Sequence, residues 1–262
     1  ANHFRYGTMS WELVSDNGTH ITIRLKMQNG WTANHGNFRE SGDYDTTDGR
    51  WVSGYIGSIK DDYITINWDD GNTSDVDIRI LSRDNTTGTA SSDCSAGISQ
   101  SLARCKDSTI SEMGEYVSSS DTWTAGVTHT YPDNGTTEYV VNWGSTARRP
   151  TQNYPSSSVQ WRNQTKVNIG GAYDNNTSPV SAVPPIIQVR DNTTFAYDVI
   201  SSDTTGDNLT YRWGKLNEFF QTNGSGSTAT FTKPTGMTLS SSGSIEWNVL
   251  DNNSAIVDTE ED

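Results

Sequence analysis

Residues 51–80, WVSGYIGSIKDDYITINWDDGNTSDVDIRI, decide the fold class of this 262-residue chain. Within them Tyr63, Thr65 and Asn67 alternate with Ile64, Ile66 and Trp68, and a period of two places the second set together on one face of a strand. Asp69, Asp70 and Gly71 supply turn chemistry, after which Val76, Ile78 and Ile80 form a second inward face. With residues 51–59 read as a further strand, three strands follow one another with no room for crossover helices. The expected class is all-β with antiparallel pairing.

Toward the N-terminus, residues 3–11, HFRYGTMSW, alternate as a strand whose inner face is undecided. Asp16, Asn17 and Gly18 make a turn, and Ile21, Ile23 and Leu25 share one face of the returning strand, with Thr22, Arg24 and Lys26 on the other. Residues 30–50 are rich in Gly, Asn, Asp and Thr, with Trp31, Phe38 and Tyr44 as anchors, and have the character of a long binding excursion. Their carboxylates, Glu40, Asp43, Asp45 and Asp48, lack the order of a helix-loop-helix calcium loop and are expected to be solvated surface.

Toward the C-terminus, residues 85–107 form a polar loop in which residues 96–104 are too few and too polar for an independent helix; residues 112–116 are equally weak. The segment 127–143, VTHTYPDNGTTEYVVNW, is expected to be a second hairpin turning at Pro132, Asp133, Asn134 and Gly135. Residues 146–158 return to loop composition, and 159–169 are one more strand. Seven or eight strands before Gly170 suit a two-sheet sandwich of jelly-roll type. A division near residue 88 into two small sandwiches is the alternative, but residues 123–141 would then lack core partners. Arg148 and Arg149, the adjacent basic pair, are assigned to an acidic neighbour.

Residues 175–209, NNTSPVSAVPPIIQVRDNTTFAYDVISSDTTGDNL, read as a joint, because Pro179, Pro184 and Pro185 interrupt regular structure just before a new alternating run. The domain scheme is therefore a jelly-roll-like sandwich over 1–174, a proline-containing linker over 175–185, and an immunoglobulin-like sandwich over 186–262. Strands are expected in the last at 186–189, 194–199, 209–213, 229–231, 237–239 and 244–249. After Trp247 only Ala255, Ile256 and Val257 remain as an apolar remnant before an acidic tail. The final strand of this sandwich is thus expected to come from a neighbouring copy, or from chain beyond Asp262.

A net charge of −14 disfavours nucleic acid and anionic membranes as partners. No apolar stretch is long enough to span a bilayer, so no membrane insertion is expected. Asn-x-Ser/Thr triplets begin at Asn17, Asn72, Asn85, Asn134, Asn163, Asn175, Asn176, Asn192, Asn208, Asn223 and Asn252. The set exceeds what the Ser and Thr content gives by chance, which points to N-glycans and a secretory route. The opening at Ala1 fits a leader already removed. Cys94 and Cys105 are read as one disulfide closing a short loop, worth about 2–3 kcal/mol.

The segments HFRYGTMSW at 3–11, VTHTYPDNGTTEY at 127–139, SPVSAVPPIIQV at 178–189, DTTGDNLTYRW at 203–213 and GMTLSSSGSIEW at 236–247 resemble a repeated architecture of large secreted or surface proteins of bacteria and unicellular eukaryotes. In that group an N-terminal β-sandwich precedes cadherin-like, immunoglobulin-like domains. The resemblance implies an adhesive or structural role without catalytic residues. It also implies calcium at an acidic turn, here Asp203 and Asp207, although Thr204 and Thr205 stand where a further proline or aspartate is usual. The group's last strand is not recognisable after Trp247.

The expected function is a secreted, extracellular structural glycoprotein whose copies assemble into a filament or surface layer by strand addition, with residues 1–11 as donor or as the first strand of their own domain. The alternative is a carbohydrate-binding or adhesive module, with Trp31, Tyr44 and Trp51 as sugar-stacking candidates. Enzymatic function is not expected: Glu12, Glu40, Glu112 and Glu115 have no distinguishing context. His3, His20, His35 and His129 show no zinc spacing.

Overall fold

The computed structural model describes residues 4–32, 44–45, 50–51, 56–57, 59–84, 108–148, 159–183, 187, 193–219 and 233–248. The chain is all-β, with one nearly closed, jelly-roll-like sandwich and several smaller sheets. The sandwich begins with two 13-residue strands, β1 (Phe4–Asp16) and β2 (His20–Thr32), joined through Asn17, Gly18 and Thr19. Among the described residues β3 (Tyr44–Asp45) and β4 (Arg50–Trp51) pair with each other and with no other strand. β5 (Ile59–Asn67), β6 (Thr73–Asp84) and β7 (Ser108–Val117) then run antiparallel in turn.

The far edge of β2 carries two partners. Its first half, His20–Leu25, pairs with β9 (Val127–Pro132), and its second half, Gln28–Thr32, pairs with β7. β8 (Thr122–Ala125) pairs with the end of β7, and Gly126 marks the crossing from β7 to β2. The Gly126 N–H donates to the Met113 carbonyl, its φ is 81°, and a Cβ there would stand 2.8 Å from the Leu25 carbonyl oxygen. Only glycine fits this wedge without strain.

β10 (Glu138–Arg148) and β11 (Val159–Asn168) form a ribbon that closes the sheet. β10 meets β5 at Asn142 opposite Asn67 and meets β1, in parallel, at Phe4 opposite Arg148. Inside lies one core that includes Ile23, Leu25, Ile64, Ile66, Trp68, Ile78, Tyr131, Val141, Trp161 and Val167. Strands before and after residue 88 share it, so the division into two small sandwiches is excluded.

Ile64, Ile66 and Trp68 are fully buried, and Val76, Ile78 and Ile80 nearly so, as the alternation requires. The undecided face of β1 has a physical cause: its register shifts between Phe4 and Tyr6. Phe4 therefore points inward from an even position, whereas Met9, Trp11 and Leu13 meet the core from odd ones.

Several expectations are corrected. Residues 51–59 are not one strand, since β4 ends at Trp51, Ile56 and Gly57 are in a turn, and β5 starts at Ile59. Residues 112–116 belong to β7, whose inward side begins with Thr109 and Ser111, both wholly buried. Segment 127–143 is not a hairpin, because β9 pairs with β2 while β10 pairs with β11, β5 and β1. Their contact runs through the core, with Tyr131 stacked on Tyr139 at 4.1 Å between centroids.

Beyond Asn168, one turn of 3-10 helix (Gly171–Tyr173) leads to Ser178, a buried residue fixed to β1. The Ser178 N–H and Oγ–H both donate to the Trp11 carbonyl, at 3.0 and 3.2 Å, and its Oγ accepts from the Trp11 N–H at 2.7 Å. The expected linker is thus partly strand: β12 (Val180–Ser181) pairs with β14 (Ser201–Ser202). β13 (Thr194–Asp198), β15 (Met237–Leu239) and β16 (Ser244–Asn248) form a three-stranded sheet with β16 central. Residues 209–213 are irregular, not a strand, although the Tyr211 N–H donates to the Ser241 carbonyl. A single helical turn, α1 (Leu216–Phe219), follows them. The expected strands at 186–189 and 229–231 fall wholly or mostly outside the described residues.

Candidate functional site

The three-stranded sheet is two-faced by sequence. On one face the pairings align Phe195, Trp247 and Met237 in one row and Tyr197, Ile245 and Leu239 in the next. On the other, Ala196, Glu246 and Thr238 form an exposed row. Six apolar or aromatic side chains across three strands are the makings of a sandwich core, yet all six are only half-buried. Among the described residues, no apolar side chain beyond Ile169 is fully buried, and Val180, Ile200 and Trp213 are exposed.

Part of the apolar face borders a cleft of about 640 Å³ between this half of the chain and β11. Gln164, Thr165 and Lys166 of β11 form one wall; Tyr211, Trp213, Leu239 and Ile245 are among the residues opposite. The ring of Tyr211 lies over Gly243, where a Cβ would stand 3.0 Å from it. Lys233 Nζ is 5.8 Å from the Trp213 ring centroid. At the rim, Arg212 donates to both carboxylate oxygens of Glu218, at 2.8 and 2.6 Å, and the Lys215 N–H also donates to Glu218. The Arg212 hydrogen bonds, aided by Lys215, hold the Glu218 carboxyl down at about 2. Periodicity could not reveal Tyr211 and Trp213 as neighbours of β11, because residues 209–213 are not in a strand. The aromatic content of that run was the available signal.

The other sequence candidates are scattered. Trp31 is a core residue, 4% exposed, whose Nε1–H donates to Ser111 Oγ, so it is no sugar platform. Tyr44 and Trp51 are register partners in the backbone of the β3–β4 pair. Glu12 accepts from Lys26 at 2.7 Å. Glu112 accepts from Arg79 and from Trp123 Nε1–H, and Glu115 is exposed on β7. Asp203 Oδ1 accepts from the N–H and hydroxyl of Thr205, which closes its own turn and lowers its pKa, while Asp207 contributes an N–H at 3.4 Å. No group of three His, Cys, Asp or Glu converges among the described residues.

His20 Nδ1 lies 3.1 Å from the Thr19 hydroxyl. His129 Nε2 lies 2.8 Å from Asp70 Oδ2, and its ring stacks on Trp68 at 4.4 Å. Burial alone would raise the Asp70 pKa, but hydrogen bonds from His129 and Asn72 outweigh it and lower the carboxyl. Burial, then the charge of Asp70, pushes the Tyr131 phenol well above its usual value. The Tyr131 hydroxyl donates to the Trp68 carbonyl.

Seven sequon asparagines are described: Asn17, Asn72, Asn134, Asn163, Asn175, Asn176 and Asn208. Outside the described residues lie Cys94, Cys105, Asn85, Asn192, Asn223, Asn252, His3, His35, Glu40, Asp43, Asp48 and Arg149. No helix among the described residues is long and apolar enough to cross a membrane. No family model, curated protein or solved structure matches the chain.

Proposed function

We propose that this chain is a non-catalytic subunit of an extracellular filament or surface layer, a secreted glycoprotein whose second, immunoglobulin-like half is completed by a segment of a neighbouring copy. The observation that carries the reading is the half-covered face of Phe195, Trp247, Met237, Tyr197, Ile245 and Leu239 on a sheet of three strands. Such a face gains free energy, at roughly 25 cal/mol per Å², from any segment that covers it. The edge strands β13 and β15 pair through only one side with described strands, so each offers backbone groups to an added strand. Strand donation from copy to copy is heterologous and propagates into a fibre.

The donor is not the opening strand. From Phe4 onward that segment is β1 of its own sandwich, with Phe4 stacked on Trp161 at 3.6 Å. Each copy carries a net charge of −14, so assembly opposes a like-charge repulsion that salt screens. Calcium at Asp203 and Asp207 would reduce the same repulsion.

Sedimentation and electron microscopy of the native protein test the reading. Growth of fibres or sheets with concentration and salt is the expected result, lost in Trp247→Ser or Ile245→Asp with the sandwich still folded. A monodisperse monomer under all conditions, with β13 and β15 amides protected from exchange, overturns it. A carbohydrate-binding role is the second reading, and it now rests on Tyr211 and Trp213 beside the polar wall of β11. Glycan-array binding by a monomer, abolished by Trp213→Ala, favours it.

A further inference from the structure

Three hairpin or strand-connecting turns of the sandwich gather at one pole, and each carries a sequon. The Asp133 N–H, in the β9–β10 turn, donates to the Thr19 carbonyl in the β1–β2 turn at 2.8 Å. The β5–β6 turn joins them through Asp70, which meets His129 of β9, and through Asp69 Oδ2, which accepts from the Val140 N–H of β10 at 2.8 Å. Asn17, Asn72 and Asn134 sit in these turns, all exposed.

Their amides are free to carry a substituent. Asn17 Oδ1 accepts from the Thr19 N–H, the Thr19 hydroxyl and the His20 N–H, which turns the amide nitrogen away from the chain. Asn134 Oδ1 accepts from the Thr136 N–H. Asn72 Nδ2 donates to Asp70 Oδ2 at 3.0 Å, a bond that survives glycosylation because the substituted amide keeps one N–H.

Asn163 has an equally valid triplet and the opposite setting. Its Nδ2 donates to Oδ1 of Asn29, a wholly buried residue, at 3.0 Å. The same nitrogen lies 1.9 Å from where a Cβ on Gly7 would stand, so it occupies the space that glycine leaves open on β1. A sugar there would have to part β11 from β1.

We propose that Asn17, Asn72 and Asn134 bear the N-glycans of the sandwich and sheathe its turn-bearing pole, and that Asn163 is bare in folded protein. The inference rests on the secreted-glycoprotein reading above. Contacts between copies then use the sandwich flanks and the second half of the chain, because the sugars exclude that pole.

The full chain, secreted behind a leader from a glycosylating cell, is to be deglycosylated enzymatically in heavy-oxygen water and its peptides read by mass spectrometry. Labelled aspartate at positions 17, 72 and 134 and unlabelled asparagine at 163 is the expected result. Occupied Asn163 in folded monomer, or an empty pole beside occupied Asn208, overturns the assignment. If no triplet is occupied, the glycoprotein reading itself falls. The geometry is then tested on unglycosylated protein: Asn17→Cys and Asn134→Cys should react with a bulky maleimide at least about tenfold faster than Asn163→Cys, and equal rates in folded variants refute it.

Discussion

The two halves of this chain use the same material to different ends. Both are built of alternating, aromatic-rich strands, and both pair them antiparallel apart from the single parallel contact of β10 with β1. In the first half nine strands wrap round until the last ribbon returns to the first strand, and side chains such as Trp68, Val141 and Trp161 lose nearly all contact with water. In the second, three strands present two well-ordered apolar rows that remain half-buried. The contrast teaches that alternation makes a face, and that only a second layer makes a core. What the halves share is Ser178, whose bonds to both backbone groups of Trp11 tie the connection to the sandwich wall.

The sharpest way to break the comparison is to remove one tryptophan from each half. Trp161→Ala should cost about 3–5 kcal/mol in chemical denaturation, because a closed core cannot collapse around the void. Trp247→Ala in monomeric protein should cost about a third as much, since its ring is already partly hydrated. Equal losses would mean that the second half is sealed as well as the first. Next in size is Gly126→Ala, expected to cost about 1–3 kcal/mol through its positive φ and the clash with Leu25, and to leave the second half untouched. Ser178→Ala should cost about 1–2 kcal/mol and let the halves unfold in separate steps, a loss of coupling visible by calorimetry.

The smallest effect is an acid one. Folding lowers the carboxyls of Asp70 and Glu218, from ordinary values of 3.8 and 4.5, and that of Glu218 to about 2. Groups with depressed folded values stabilise fully above their unfolded values and lose that contribution as pH falls through the folded ones. Stability should therefore decline below about pH 4.5, and Glu218→Gln should flatten part of the limb. With Arg212 60% exposed, its share is at most about 1 kcal/mol.

Strands that face one wet side and one dry side were legible, as Ile21–Ile23–Leu25 and Ile64–Ile66–Trp68 show. β7 was not, because its inner positions hold Thr109 and Ser111, the latter placed there to accept the Trp31 indole N–H. Nor could local pattern reveal that β9 and β10 diverge after a good turn sequence. That choice is made by partners far away, β2 for one and β11 for the other. Of the aromatics of the candidate surface, Phe195, Tyr197 and Trp247 are strand residues as their alternation implies, but Tyr211 and Trp213 line the cleft opposite β11 from an irregular run that no period describes. The all-β class and the first sandwich were legible from alternation and strand count alone, without the resemblance to cadherin-like surface proteins; the finer second sandwich remains part of the proposal.

The closing ribbon has a mechanical consequence. β10 is joined to β5 and to β1 by one residue pairing each, against nine with β11. Under tension those two seams offer few backbone pairings to break, so β10 with β11 would swing out like a shutter once the ties of Trp161 to Phe4 and of Asn163 to Asn29 give way. If the proposed fibre forms, opening many such shutters in series would lengthen it, and their closing would restore its length when the load is removed.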